Sequence, residues 1–164
     1  MGKSAIAALL VAERPLALNL DIDEIRVRLG RWTSIPESKQ VARQLGFTLA
    51  SAHLRDGHDV VMPQLVASAE VIDSVERLAI EAGGLLCEVI LVADPGELVE
   101  RAWARRNESP HPRDQFSRDE LDGQVRHATG VLHELAAKQP SFRLVDVTGL
   151  SVTDAAELVR ESIS

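Results

Sequence analysis

The sequence has no tyrosine, and its three phenylalanines and two tryptophans bring the aromatic share to only 3%. A core without aromatic bulk must be built from Leu, Val, Ile and Ala, which the 45% hydrophobic content supplies. That composition suits a parallel sheet covered by helices. A single cysteine excludes an intrachain disulfide. Cys87 lies within Leu85-Leu86-Cys87-Glu88-Val89-Ile90 and is expected to be a buried strand residue, not a nucleophile or ligand. No apolar run reaches the roughly 18 residues needed to span a membrane, and no signal-peptide pattern opens the chain. A soluble cytoplasmic protein with no membrane partner is therefore expected. The net charge of −7 provides no overall basic field to attract nucleic acid. The histidines (His53, His58, His111, His127, His133) lack HExxH or Cys/His metal spacing, so surface or packing roles are expected for them. No G-x-S-x-G is present, which leaves Ser/His/Asp hydrolysis without support.

The 164 residues are long enough for one domain with a proper core and show no repeat or linker. Ser4 leads into residues 5–12, a run of good helix formers. Pro15 breaks it, and Leu16 to Leu20 reads as a short buried strand. Asp21-Ile22-Asp23-Glu24 opens a helix, with acidic residues where the dipole favours them, and Gly30 is expected to end it. After a loop over 31–36, a long helix is expected from Glu37 to Leu54, with Val41, Leu45 and Leu49 on one stripe. Strands are expected over 59–62, 85–92 and 142–147. Helices are expected from Ser68 to Ala82, from Asp94-Pro95 onward, from a Ser117–Glu120 capping box to Lys138, and from Val152 to Ile163. Residues 107–116, broken by two prolines, read as an exposed loop. Strands alternating with helices define an α/β domain with a parallel sheet, and ligands in such sheets bind beyond the carboxyl ends of the strands.

Gly2-Lys3-Ser4 stands at the amino end of the first helix. It matches the second half of a phosphate-binding loop, G-x-x-x-x-G-K-[ST]. Glycine lets the backbone approach phosphate, while free N–H groups and the helix dipole hold the anion. Lysine neutralises β- and γ-phosphate charge, and the serine hydroxyl suits Mg²⁺.

Together with three later stretches, this motif resembles the small P-loop kinase, or AAA-type ATPase, family. The group includes gluconate and shikimate kinases, chloramphenicol phosphotransferase and polynucleotide 5′-hydroxyl kinase. Asp23-Glu24-Ile25-Arg26 resembles the D-x-x-R that carries a catalytic carboxylate and a substrate-binding arginine. Leu98-Val99-Glu100-Arg101 with Arg105 and Arg106 resembles the arginine helix and lid, here about 105–118. Val145 to Gly149 resembles the last strand and the loop beside the adenine. The resemblance implies a P-loop NTPase-type parallel sheet flanked by helices, in one domain over 1–164. It also implies ATP and Mg²⁺ as cofactors and a small-molecule acceptor. Gly2, Lys3, Ser4, Arg101 and Arg105 would bind nucleotide, with Ser4 as the metal ligand. Lys3 and Asp23 would be catalytic. Arg26, Trp32 and Gln64 would contact the acceptor.

Two departures from the pattern matter. The first part of the loop and the strand before it are absent; in the family that strand is central, between those read here as 58–62 and 85–92. A GTG valine codon taken as an initiator would account for Met1, which the upstream reading frame tests. Met62-Pro63-Gln64 also stands where many relatives carry an Asp, and Gln64 can replace its contact but not its charge. Simpler uses are open for several residues. Lys3 can be a solvated terminal lysine and Asp21 a helix cap. Arg101, Arg105 and Arg106 can form a helix face paired with Glu97 and Glu100. The function expected is an ATP-dependent phosphotransferase acting on a small-molecule hydroxyl. The alternatives are a nucleotide-binding or structural protein without turnover and a polynucleotide 5′-hydroxyl kinase-like module, the latter opposed by the acidic balance.

Overall fold

The computed structural model describes residues 2–64, 68–108, 117–139 and 141–163. The chain divides into two compact units, residues 3–86 and residues 1–2 with 87–164. In the first unit, α1 (Lys3–Ala12) buries Ile6, Ala7 and Leu10, one face of a single helical stripe. Pro15 ends the run, and Leu16 sits in the left-handed region at φ 58°. That twist, with Leu16 largely exposed, shortens the expected strand to β1 (Leu18–Asn19). After β1 come α2 (Ile22–Val27), α3 (Ser38–Arg55), β2 (Val60–Val61) and α4 (Ala69–Glu81). β1 and β2 pair in parallel, with Leu18 opposite Val60. The ladder continues into Leu20, whose N–H donates to the Val61 carbonyl at 2.8 Å. α2 stops at Val27, earlier than Gly30, and the left-handed residue that follows is Arg31 at φ 56°.

α3 corrects the expected stripe. Leu45 and Leu49 are 44% and 51% exposed, and Val41 is exposed as well. The buried face is Ser38, Ala42, Gly46 and Ala50, one residue further round the helix. Both sets repeat every four residues, so periodicity alone does not separate them. Packing does, because small residues let α2 approach closely. A Cβ built on Gly46 would lie 3.0 Å from Ile22 Cγ1. Replacing a mid-helix glycine gains up to about 1 kcal/mol of propensity, whereas overpacking typically costs about 1–3 kcal/mol. Gly46→Ala should therefore stay within about 1 kcal/mol of wild type, the squeeze offsetting the propensity gain. Gly46→Leu should lower the urea midpoint clearly, and an unchanged midpoint would show that the α2–α3 contact is loose.

The second unit holds β3 (Val89–Val92), α5 (Pro95–Glu108), α6 (Arg118–Lys138), β4 (Arg143–Asp146) and α7 (Val152–Ile163). β3 and β4 are parallel, with Val89 opposite Arg143 and Val92 opposite Asp146. The expected strand over 85–92 is thus half as long. Gly83 turns the chain at φ 72°, and the ladder begins only where Arg143 N–H meets the Glu88 carbonyl. Leu85 is fully exposed as a result, and Cys87 is exposed too, which corrects the buried placement. α5 and α6 pack through Val99, Ala102, Leu121 and Val125, with Leu98 and Trp103 against them. Ser117 and Glu120 form the capping box that starts α6. Among the described residues the strands form two separate parallel pairs, β1–β2 and β3–β4, rather than one continuous sheet. The lid expected over 105–118 falls largely on 109–116, outside the described residues, as do 65–67.

Candidate functional site

In the first unit the chemistry gathers where β1 and β2 end and α1 begins. Asp21 follows β1 directly and is the N-cap of α2, its Oδ1 accepting the Asp23 N–H at 2.9 Å. Capping is the use expected for it, and the structure adds two further partners. Ser4 Oγ donates to Asp21 Oδ2 at 3.2 Å, and Gln64 Nε2 donates to Oδ1 at 3.1 Å. One carboxylate therefore ties the amino end of α1 to the segments leaving both strands. Ser4 adjoins Lys3, and Asp23 lies two residues beyond Asp21. The Ser4–Asp21 bond thus brings the lysine's helix end and the D-x-x-R helix to the same edge of the unit. Lys3 and Asp23 are both half-buried. Ser4 Oγ beside a carboxylate oxygen forms a pair of hard oxygen donors, which suits Mg²⁺ chemistry. No group of three His, Cys, Asp or Glu side chains able to hold a metal occurs among the described residues.

One turn further along α2, Arg26 Nε donates to Ser38 Oγ at 2.9 Å, and Ser38 Oγ donates to the Trp32 carbonyl at 2.9 Å. Ser38 is only 3% exposed, so its hydroxyl is a buried hinge between α2 and the loop before α3. The Arg26 guanidinium also lies 5.0 Å from the Trp32 ring centroid, a cation–π distance. Two of the three residues expected at an acceptor, Arg26 and Trp32, thus form one cluster. The third, Gln64, belongs to the Ser4–Asp21 set. Ser38 belongs to no sequence motif; its only signal in the sequence is the small-residue spacing of Ser38, Ala42, Gly46 and Ala50. The groove between α3 and α4, about 480 Å³ and lined by Phe47, Ser51, Arg55, Ser74 and Arg77, contains none of the expected site residues.

In the second unit, Arg101 forms an ion pair with Glu97 one turn before it and donates from Nη2 to the Leu150 carbonyl at 3.1 Å. Glu97 in turn accepts the Gly149 N–H at 2.9 Å. The pair clamps the turn after β4 to the start of α5, the helix-face pairing weighed as the simpler use. Arg105 is exposed, Arg106 stacks over Trp103 at 4.9 Å, and Glu100 pairs with Arg118 on α6. Gly2, half-buried, is grouped with this unit.

Asp146 and Thr148 anchor the same turn. The Thr148 hydroxyl donates to Asp146 Oδ1 at 2.6 Å and its backbone N–H donates at 2.9 Å. These bonds, the hydroxyl first, hold the Asp146 carboxyl below the usual carboxylate range. A lowered folded-state value contributes stability above the ordinary carboxylate range, and that contribution disappears as pH falls through the lowered value. Thr148→Val removes the stronger donor, so the Asp146 midpoint should rise towards normal in a carboxyl ¹³C NMR titration. An unmoved midpoint would assign the shift to the backbone N–H.

No protein-family model matches the chain, and no curated protein matches it. Solved structures do. The tunicamycin resistance protein of Deinococcus radiodurans superposes with a TM-score of 0.66 at 17% identity, over 99% of this chain and 89% of that one. A candidate kinase from Chloroflexus aurantiacus gives 0.62 at 17% identity, over 99% and 90%. The class these likenesses define is the P-loop kinase-like α/β fold, with parallel strands flanked by helices. At this identity they establish the fold alone.

Proposed function

We propose that the protein is a phosphotransferase that moves the γ-phosphoryl group of ATP, with Mg²⁺, to a hydroxyl of a small molecule. The observation that carries this reading is the Ser4–Asp21–Gln64 set at the amino end of α1, with Asp23 and Arg26 following on α2. Backbone N–H groups opening α1 would hold phosphate oxygens, and Lys3 would neutralise their charge. Ser4 would hold Mg²⁺, with Asp21 orienting the Ser4 hydroxyl, and the cation would balance phosphate charge. Asp23 would accept the proton of the attacking hydroxyl, because a carboxylate one turn from an arginine can take a proton while the arginine holds the acceptor. Arg26, steadied by Ser38 and by the face of Trp32, would orient the acceptor. The nucleotide-binding role that the resemblance implies for Gly2, Arg101 and Arg105 belongs to the same proposal.

One observation favours a second reading, nucleotide binding without turnover. Arg101 is engaged by Glu97 and the Leu150 carbonyl, so it would have to exchange partners to meet a phosphate. The test is labelled-ATP transfer with a panel of sugars, nucleosides and antibiotics. Tunicamycin belongs in the panel because a structural neighbour is a tunicamycin resistance protein. A 5′-hydroxyl oligonucleotide covers the polynucleotide reading. Protein expressed from Met1 and protein expressed from the reading frame upstream of it should both be assayed. Transfer to a small hydroxyl that fails in Asp23→Asn supports the kinase. Saturable Mg²⁺-ATP binding with no transfer to any member of the panel, and no effect of Asp23→Asn, sinks it in favour of the second reading.

A further inference from the structure

Two histidines for which surface or packing roles are expected from the sequence meet in the first unit and are not among the hydrogen-bond partners of the Ser4–Asp21 set. His53 is in the last turn of α3, and His58 follows the turn that ends it. The His58 N–H donates to the His53 carbonyl at 3.2 Å, which fixes the two backbones side by side. Their ring centroids are 5.1 Å apart, and the planes are inclined by 43°. His53 Nε2 lies 2.7 Å from the Leu16 carbonyl. A carbonyl only accepts, so Nε2 carries the hydrogen and the lone pair of His53 is on Nδ1.

We propose that His53 Nδ1 and a ring nitrogen of His58 form a binding site for a borderline divalent cation of the Zn²⁺ or Cu²⁺ type, with water completing the coordination. Two imidazoles that share one tetrahedral ion at about 2.0–2.1 Å have ring centres about 5 Å apart, the separation found here. Inclined planes, unlike stacked ones, let two in-plane lone pairs converge on one point. A metal-ligating histidine usually gives its other N–H to a carbonyl or carboxylate, which orients the ring and raises its basicity. The Leu16 carbonyl already fills that place. Imidazole nitrogen selects Zn²⁺ or Cu²⁺ over Mg²⁺, which prefers oxygen, so this site is chemically separate from the proposed nucleotide site. Bound metal would fasten the loop carrying Leu16 to the end of α3.

The untagged chain titrated with ZnCl₂ tests this by calorimetry and by long-range ¹H–¹⁵N spectra of the histidine rings. One ion per chain should bind and move the His53 and His58 signals together, with the His53 hydrogen remaining on Nε2. MgCl₂ should move neither. His58→Gln keeps the His53–Leu16 bond and should weaken Zn²⁺ binding by about tenfold or more. Thermal unfolding without metal reports whether that variant is folded. Unchanged affinity in folded His58→Gln, signals moving only at His111, His127 or His133, or no saturable binding would each overturn the proposal. If His58→Gln does not fold, the wild-type spectra alone decide: joint movement of the two rings supports the site, and any other pattern overturns it.

Discussion

Asp23→Asn is expected to lower kcat for phosphoryl transfer by about 10²–10⁴-fold, the usual contribution of a positioned general base. KM for ATP should change little, and so should the urea midpoint, because asparagine keeps the size and polarity of the side chain. The contrast is Asp21, both of whose carboxylate oxygens accept hydrogen bonds, from Ser4, Gln64 and the Asp23 N–H. Asp21→Ala removes the cap of α2 and leaves those donors without their acceptor. A cap alone is worth about 1 kcal/mol, and the other contacts are partly solvated, so a loss of about 1–2 kcal/mol is expected in urea. The pair of variants separates chemistry from positioning. Full activity in Asp23→Asn would remove the carboxylate from the reaction, whatever Asp21→Ala does to stability.

Leu121→Ala should destabilise the second unit more than any surface change there. Leu121 is 3% exposed and packs with Val99, Ala102 and Val125 where α5 meets α6. Removing a buried leucine side chain typically costs about 2–5 kcal/mol, since transfer and cavity terms add. The ion pair of Glu100 with Arg118 links α5 to α6 as well, but both partners are exposed. Pairs of that kind are worth about 0–1 kcal/mol. Urea unfolding followed by circular dichroism should therefore show a large drop for Leu121→Ala and a small one for Arg118→Ala. Equal effects would mean that charge, not burial, joins these helices.

Much of the local structure was legible because it is chemically local. The Ser117–Glu120 box, Asp94 before Pro95, and the glycines after α4 mark helix ends through bonds a few residues long. The strand at 85–92 was legible only in part. Its apolar run extends further than its partner does, and β4 meets it only from Val89. The buried stripe of α3 is not legible in the sequence because two sets of residues share the same period. Ile22 against Gly46 selects the smaller set. Within the candidate site, Gly-Lys-Ser and D-x-x-R were visible as motifs, while the Asp21 hub and the Ser38 link were not. Both depend on contacts between residues 12 to 43 positions apart.

The sequence by itself determined the class of fold and the helix starts, because period, caps and turn chemistry act over short spans. The tertiary structure alone decided which face of α3 is buried, which carboxylate meets Ser4, and that His53 adjoins His58 and meets the Leu16 carbonyl. Those outcomes rest on side-chain volume and on hydrogen bonds that exist only after distant segments pack together.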